Sequence, residues 1–373
     1  MDKSEIPPDD IDFEGLNLHH YCSREADPAP GTSRHDFFSL SVYWWPNPET
    51  QDGLPYVARD GEVNPEAENY DSPNLTRMCA AVDTLALAYA FTDEERYAEK
   101  AAELLKVWFL DDATSMNPNM LFAQYVPGEG GFKSYYSMRC VGRRQGKKAF
   151  VSYGGVIEGS RFPSLLQSVE LLRGSRSWTV AHHQGLQQWF HRFMKWLLES
   201  QHGDDESTAL NNHASWYCNQ IATYAAFCGD EKTLRTVLTR DLRVRIFLQI
   251  EPDGLQPAEM GRSISFAYVN FALYSFYNCA LLGDKLGLDL WNYRTEDGRG
   301  LKVATEWLLS RIQNEKLITG ANIHGISYIN SVPLLRIAAE KYKDSSYAKQ
   351  IDLLPGYPNN HLYRLLYHTE ELS

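Results

Sequence analysis

The sequence predicts an all-α protein, an (α/α) toroid or incomplete barrel built of antiparallel helical hairpins. Three observations predict it. Apolar residues recur at three- and four-residue spacing through most of the chain after about residue 75. The periodic segments are joined mostly by short turns, as antiparallel neighbours require. No stretch alternates apolar and polar residues long enough to build a central sheet. Ten or more helices with long intervening loops favour a toroid over a bundle. The 373 residues read as a single domain over 1–373, with an irregular N-terminal segment at 1–35.

Taken in order, Pro7, Pro8, Pro28 and Pro30 and few apolar repeats make 1–35 irregular. Residues 36–72 read as a long loop, because Pro, Gly and Asp exclude long helices. Phe37, Phe38, Tyr43, Trp44, Trp45 and Tyr56 mark that loop as packed. Met78, Val82, Leu85 and Tyr89 mark a helix ending before Thr92. Thr92-Asp-Glu-Glu95 has the pattern of a capping box for the next helix, whose apolar side is Tyr97, Ala101, Leu104, Leu105 and Trp108. A second loop, rich in Gly, Tyr and basic residues, spans about 111 to 160. Helical period returns at 163–173 and at 184–199, where Leu186, Trp189, Phe190, Phe193 and Leu197 align. Further helices are expected at about 213–228, 231–249, 265–285, 300–314 and 330–343.

Composition narrows the function. The formal net charge is -12, which argues against a nucleic-acid partner. Aromatics make up 13% of the chain, with 9 Trp and 22 Tyr. Most serve packing, and an excess of flat rings also suits sugar binding. No apolar run approaches a membrane span, so no membrane partner is expected. The acidic, polar start "MDKSEIPPDD" is not a signal peptide. The protein is therefore cytoplasmic, or secreted with its signal removed. Six cysteines form no CxxC pair or metal spacing, and Cys79, Cys218, Cys228 and Cys279 read as buried free thiols. The pairs His19-His20 and His182-His183 lack ligand partners and read as structural. No metal or other cofactor is expected, and the chain reads as a monomer.

Two stretches carry chemistry. In "NNHASWYCNQ", Asn211 or Asn212 is placed to cap a helix. Asn212 and His213 then sit at its positive end, a seat for an anionic ligand. His213, Trp216, Tyr217 and Gln220 share one face of that helix. In "LQPAEMGRSISFAYVNFAL", Glu259, Arg262 and Tyr268 precede or open another helix. Each of these residues has an ordinary structural explanation on its own. Together, Asn, His, Arg and Tyr suit β-elimination on a uronic acid. That reaction removes a weakly acidic proton at C5, beside a carboxylate, and expels the oxygen at C4. Asn and Arg donors can stabilise the developing dianion. His and Tyr can supply base and acid. A glycoside hydrolase instead needs two paired carboxyl groups, and nothing in the sequence pairs Glu158, Asp253 or Glu259.

The segments "FFSLSVYWWPNP", "DGLPYVARDGEVNPE", "MNPNMLFAQ", "NNHASWY" and "PAEMGRSISFAY" resemble the alginate lyase domain superfamily. The likeness is to the branch grouped as polysaccharide lyase family 38, related to family 5 alginate lyases, and covers roughly residues 35 to 275. It implies an (α/α) barrel and endolytic cleavage of a uronate polymer, an acidic polysaccharide such as alginate or glucuronan, with an extracellular or periplasmic location. By that likeness Asn212 and Arg262 neutralise the carboxylate, His213 assists as base and Tyr268 transfers protons. Tyr43, Trp44, Gln124, Trp216 and Arg143 are the candidate substrate contacts.

One departure from the family is visible: "GRRQGKKAFVSYGGVIEG" is longer and more basic than the family's short link. Lys133, Arg139, Arg143, Arg144, Lys147 and Lys148 make this region a candidate basic wall in an acidic chain. His324, in "ANIHGISY", lies between helices as a further candidate. The alternatives are an (α/α)-barrel glycoside hydrolase and a non-catalytic carbohydrate-binding protein.

Overall fold

Helical spacing in the sequence becomes helix along most of the described chain. In the computed structural model the described residues are 33–128, 155–355 and 357. They fall into two compact units, Met1–Thr208 with Thr223–Glu231, and Ala209–Ala222 with Lys232–Ser373.

The first unit opens with short strands in the segment expected to be loop: β1 (Phe38–Leu40), β2 (Trp44–Trp45) and β3 (Val57–Ala58). They are too short for alternation to register. β2 and β3 pair antiparallel, and β1 pairs in parallel with the later β4 (Phe122–Tyr125). Phe38 N–H donates to Asp71 Oδ2 at 2.8 Å, tying β1 to the start of α1 (Asp71–Thr92). There follow α2 (Glu95–Phe109), α3 (Phe162–Leu171), α4 (Val180–Glu199) and α5 (Gln201–Ser207). The aromatic stripe of α4 faces inward as its spacing predicts. Trp189, Phe190 and Phe193 are fully buried, with Phe162 edge-on to Phe190 at 5.4 Å and Phe109 edge-on to Trp189 at 4.8 Å. His182 closes a capping box with Thr179, and buried His183 accepts from Trp178 Nε1, so both serve structure.

The capping box expected at Thr92-Asp-Glu-Glu95 does not form, because α1 runs on through Thr92. Its hydroxyl bonds back to the Ala88 carbonyl at 2.7 Å, and Asp93 turns left-handed at φ 58°. Glu95 reaches the other way, accepting from the Ser175 hydroxyl and from Ser177 N–H. Those bonds, Ser175's first, hold its carboxyl below the usual carboxylate value. A depressed value in the folded state means stability present at neutral pH and lost as pH falls through that value. Glu95→Gln should therefore lower Tm at neutral pH and converge with wild type in acid. Parallel thermal melts across pH check this, and a constant gap would refute it.

The second unit begins at Ala209 and takes residues 212–222 of α6 (Asn212–Cys228). The expected 231–249 helix is α7 (Glu231–Thr236) and α8 (Leu242–Gln249), joined through a π-helical turn at Val237–Asp241. After α9 (Pro257–Met260) come α10 (Ser265–Asp284), α11 (Leu301–Gln313), α12 (Ser331–Tyr342) and α13 (Ser345–Ile351). The short helices α5, α9 and α13 escape a periodicity reading because they span two turns or fewer. Helix α10 is apolar nearly all round because it is buried: Phe266, Val269, Leu273, Phe276, Tyr277 and Cys279 are at 1% exposure or less. Cys79, Cys218 and Cys279 are buried free thiols and Cys228 is a half-buried one. Burial pushes the Cys218 thiol up to about 12. No helix among the described residues is long and apolar enough to cross a membrane.

Candidate active site

The site is built at the start of α6, where the first backbone amides have no partner within the helix. Asn211 accepts from His213 N–H through its side chain at 3.3 Å, the capping role its residue type predicts. Its carbonyl takes a hydrogen bond from Gln249 Nε2 at 2.8 Å, which anchors the turn to α8. The Asn212 amide is satisfied differently. Asn212 N–H donates to Glu259 Oε1 at 2.6 Å, and Asn212 Nδ2 donates to Glu259 Oε2 at 2.8 Å. The anion expected at this helix terminus is thus the protein's own Glu259 carboxylate.

That pairing has a chemical consequence. A carboxylate only accepts, so the Asn212 amide must turn its NH2 toward Glu259. One of the two Nδ2 hydrogens is used and the amide plane is fixed. Glu259 and Asn212 are 2% and 1% exposed, so neither group has water to compete for the bond. Burial pushes the Glu259 carboxyl up from its ordinary value, while the Asn212 bonds and the Arg262 and His213 charges pull it back. The sequence places Glu259 in the stretch before the Tyr268 helix and among possible hydrolase carboxylates, but gives it no role toward Asn212. Its position three residues before Arg262 was the available signal.

Glu259 sits in the one-turn helix α9, whose start is set by Pro257. The chain leaves α9 at Gly261, and Arg262 N–H bonds back to the Glu259 carbonyl at 3.1 Å. Arg262 Nη2 donates to the Tyr268 hydroxyl at 2.7 Å, and its guanidinium carbon lies 3.7 Å from the Tyr268 ring centroid. Tyr268 is in the first turn of α10, with its N–H on the Ile264 carbonyl at 3.2 Å. Both side chains are half-buried, as is His213. The four sequence candidates all belong to the second unit, with Asn212 bonded to Glu259, His213 next to it in the chain, and Arg262 bonded to Tyr268.

Trp216 is corrected to a packing residue. It is 3% exposed, its Nε1 donates to the Phe271 carbonyl at 3.1 Å, and its ring stacks on Phe271 at 4.7 Å. No ring face is open to a sugar. Gln220 is also buried, so the outward stripe of α6 is His213 and Tyr217, spaced by one turn.

The remaining contact candidates belong to the first unit. Gln124 has a left-handed backbone at φ 54°, uncommon for a residue with a side chain. Its N–H donates to Ser39 Oγ at 2.8 Å and its Nε2 lies 3.4 Å from Glu158 Oε1. The other Glu158 oxygen accepts from Ser72 at 2.6 Å and Arg161 at 3.1 Å. Gly155 permits this close approach, since a Cβ there would meet Ala123 Cβ at 2.4 Å. Tyr43 and Trp44 are half-buried beside and within β2, and Tyr43's carbonyl accepts from Arg59 N–H at 2.7 Å. Arg143 and the rest of the basic stretch at 133–148 lie outside the described residues. His324 is exposed, on a loop docked beside Ser263.

The three carboxyl groups considered for a hydrolase each have other partners. Glu259 is spent on Asn212, Glu158 on Ser72, Gln124 and Arg161, and Asp253 on the Leu255 amide in an exposed turn. Among the described residues, no group of three or more His, Cys, Asp or Glu could hold a metal ion.

A solved alginate lyase from Bacteroides ovatus is 29% identical with a TM-score of 0.82, covering 94% of this chain and 88% of that one. Alginate lyase A1-III in complex with a tetrasaccharide is 18% identical, with a TM-score of 0.58 over 86% of this chain and 78% of that one. The A1-III enzyme from Sphingomonas species A1 is 19% identical, with a TM-score of 0.56 over 87% and 79%. The last two share the fold, and all three place the chain in the (α/α)-toroid class. No curated protein sequence matches the chain. The alginate lyase family model matches residues 22–318, so this chain belongs to the alginate lyase family and is a polysaccharide lyase.

Proposed function

We propose that the chain cleaves uronate polymers, alginate and glucuronan, by β-elimination without a metal. The observation that carries the reading is the Arg262–Tyr268 pair at 2.7 Å in the same unit as an Asn212 amide locked by Glu259. Arg262 and the second Nδ2 hydrogen of Asn212 neutralise the substrate carboxylate and stabilise the charge that develops when C5 loses its proton. The C5–H electrons form the C4=C5 double bond. The C4–O bond breaks, and the leaving oxygen takes a proton. A guanidinium donating to the phenol oxygen favours the phenolate, so Tyr268 is suited to exchange that proton.

Mannuronate and glucuronate share their configuration at C4 and C5 and differ at C2. A site that reads C4, C5 and the carboxylate accepts both, which supports glucuronan beside alginate as a substrate. An extracellular or periplasmic location fits a polymeric substrate.

Ultraviolet absorbance during digestion of polymannuronate, polyguluronate and glucuronan tests the reaction. A lyase leaves a conjugated unsaturated uronate at each new end. Reducing ends without that absorbance would identify a hydrolase, and binding without any product would identify a carbohydrate-binding protein. Because Arg262 and Asn212 supply the neutralising groups, the rate should survive exhaustive chelation unchanged. A loss restored by one divalent ion would overturn metal independence.

A further inference from the structure

Helix α10, which carries Tyr268, has no cap of its own. The residue before it is Ile264, with no side-chain acceptor. Its first amides are instead taken by a loop far along the chain. Ser265 N–H donates to the Ala321 carbonyl at 2.8 Å, and Phe266 N–H donates to Asn322 Oδ1 at 3.1 Å. Ile264 and Asn322 form an antiparallel bridge, and Ile323 N–H donates to the Ser263 carbonyl at 3.0 Å. The Asn322 amide is itself held in place, donating to the Gly320 carbonyl at 3.0 Å and to Ser265 Oγ at 3.3 Å. The approach needs a glycine: a Cβ on Gly320 would sit 2.3 Å from Ser265 Oγ and 2.7 Å from Ser265 Cβ.

The clipped residues, Ser263 to Phe266, are four of the five that separate Arg262 from Tyr268. The path between the guanidinium and the phenol is therefore set by contacts at that stretch. The family match ends at residue 318, just before this loop. We propose that residues 320–323 form an external N-cap that positions the Arg262–Tyr268 pair, with Asn322 as its positioning residue. This rests on the reading of Tyr268 as the proton-transfer residue. Asn322 touches no reacting atom in this scheme. It acts by holding the turn on which two reacting groups must meet, and small displacements of such groups cost rate steeply.

The test measures kcat, KM and the pH–rate profile on polymannuronate for Asn322→Ala, Asn322→Asp and Tyr268→Phe. Asn322→Ala should lower kcat on the order of 10-fold, with KM changed far less. The ascending limb of its profile should move to higher pH, because a loosened Arg262 stabilises the phenolate less. Asn322→Asp keeps an acceptor for Phe266 N–H and should recover most of the rate. If Asn322→Ala does not fold, Asn322→Gln replaces it with the same expectation, since its amide lies one methylene too far out. A wild-type rate and profile in Asn322→Ala, beside an inactive Tyr268→Phe, would overturn the clip alone. An active Tyr268→Phe would overturn the reading of the site and the clip with it.

Discussion

Tyr268→Phe is expected to abolish cleavage of every uronate polymer. The substitution removes one oxygen and leaves the ring that stacks under Arg262, 3.7 Å from its guanidinium carbon. Packing is kept and the hydroxyl bonded to Arg262 Nη2 is lost. In mannuronate and glucuronate, H5 and the C4 oxygen lie on the same side of the ring, so one residue can take the proton and return it. In guluronate they lie on opposite sides, and two residues are needed. Under the proposed reaction, His213 would then serve as the base and Tyr268 as the acid. His213→Ala should accordingly slow cleavage of polyguluronate more than that of polymannuronate or glucuronan. The ratio of the two rates, measured side by side at one pH, decides it. An unchanged ratio would make His213 a binding residue, and substantial activity in Tyr268→Phe would move the proton transfer elsewhere, with His324 and Tyr43 next to test.

The second large effect is expected at the carboxylate clamp. Asn212→Ala or Arg262→Ala should each lower kcat by about 100- to 1000-fold, the range for removing one preorganised donor from a developing anion. The two variants should differ in stability. Asn212→Ala keeps its backbone bond but strips the side-chain donor from the buried Glu259 carboxylate, and an unpaired buried polar group costs about 1–3 kcal/mol. Arg262 is half-buried, so its loss should cost less. Rates per folded molecule, with Tm measured alongside, separate the two effects. Near-normal turnover in both variants would remove the clamp from the site.

Much of the fold is legible in the chain because helix formation is local. The stripe Trp189, Phe190 and Phe193 reads as an inward face at helical spacing, and it is one. The same logic misassigns Trp216. Spacing says that it shares a side of α6 with His213, but not which neighbour covers it, and Phe271 does. Thr92 fails for a related reason. A capping pattern competes with continuation of the preceding helix, and the Ala88 carbonyl takes the hydroxyl.

By itself the sequence determines that the chain is helical, that Asn-His opens one helix and Arg-Tyr another, and that these residue types suit a uronate. It does so because capping, periodicity and functional-group chemistry act over a few residues. Only the tertiary structure decides what holds those groups in place. Glu259 orients Asn212 across 47 positions, and Asn322 caps the helix of Tyr268 across 56. Buried hydrogen bonds of this kind depend on which donors the packing leaves without water. That is a property of the folded chain, and no local pattern records it.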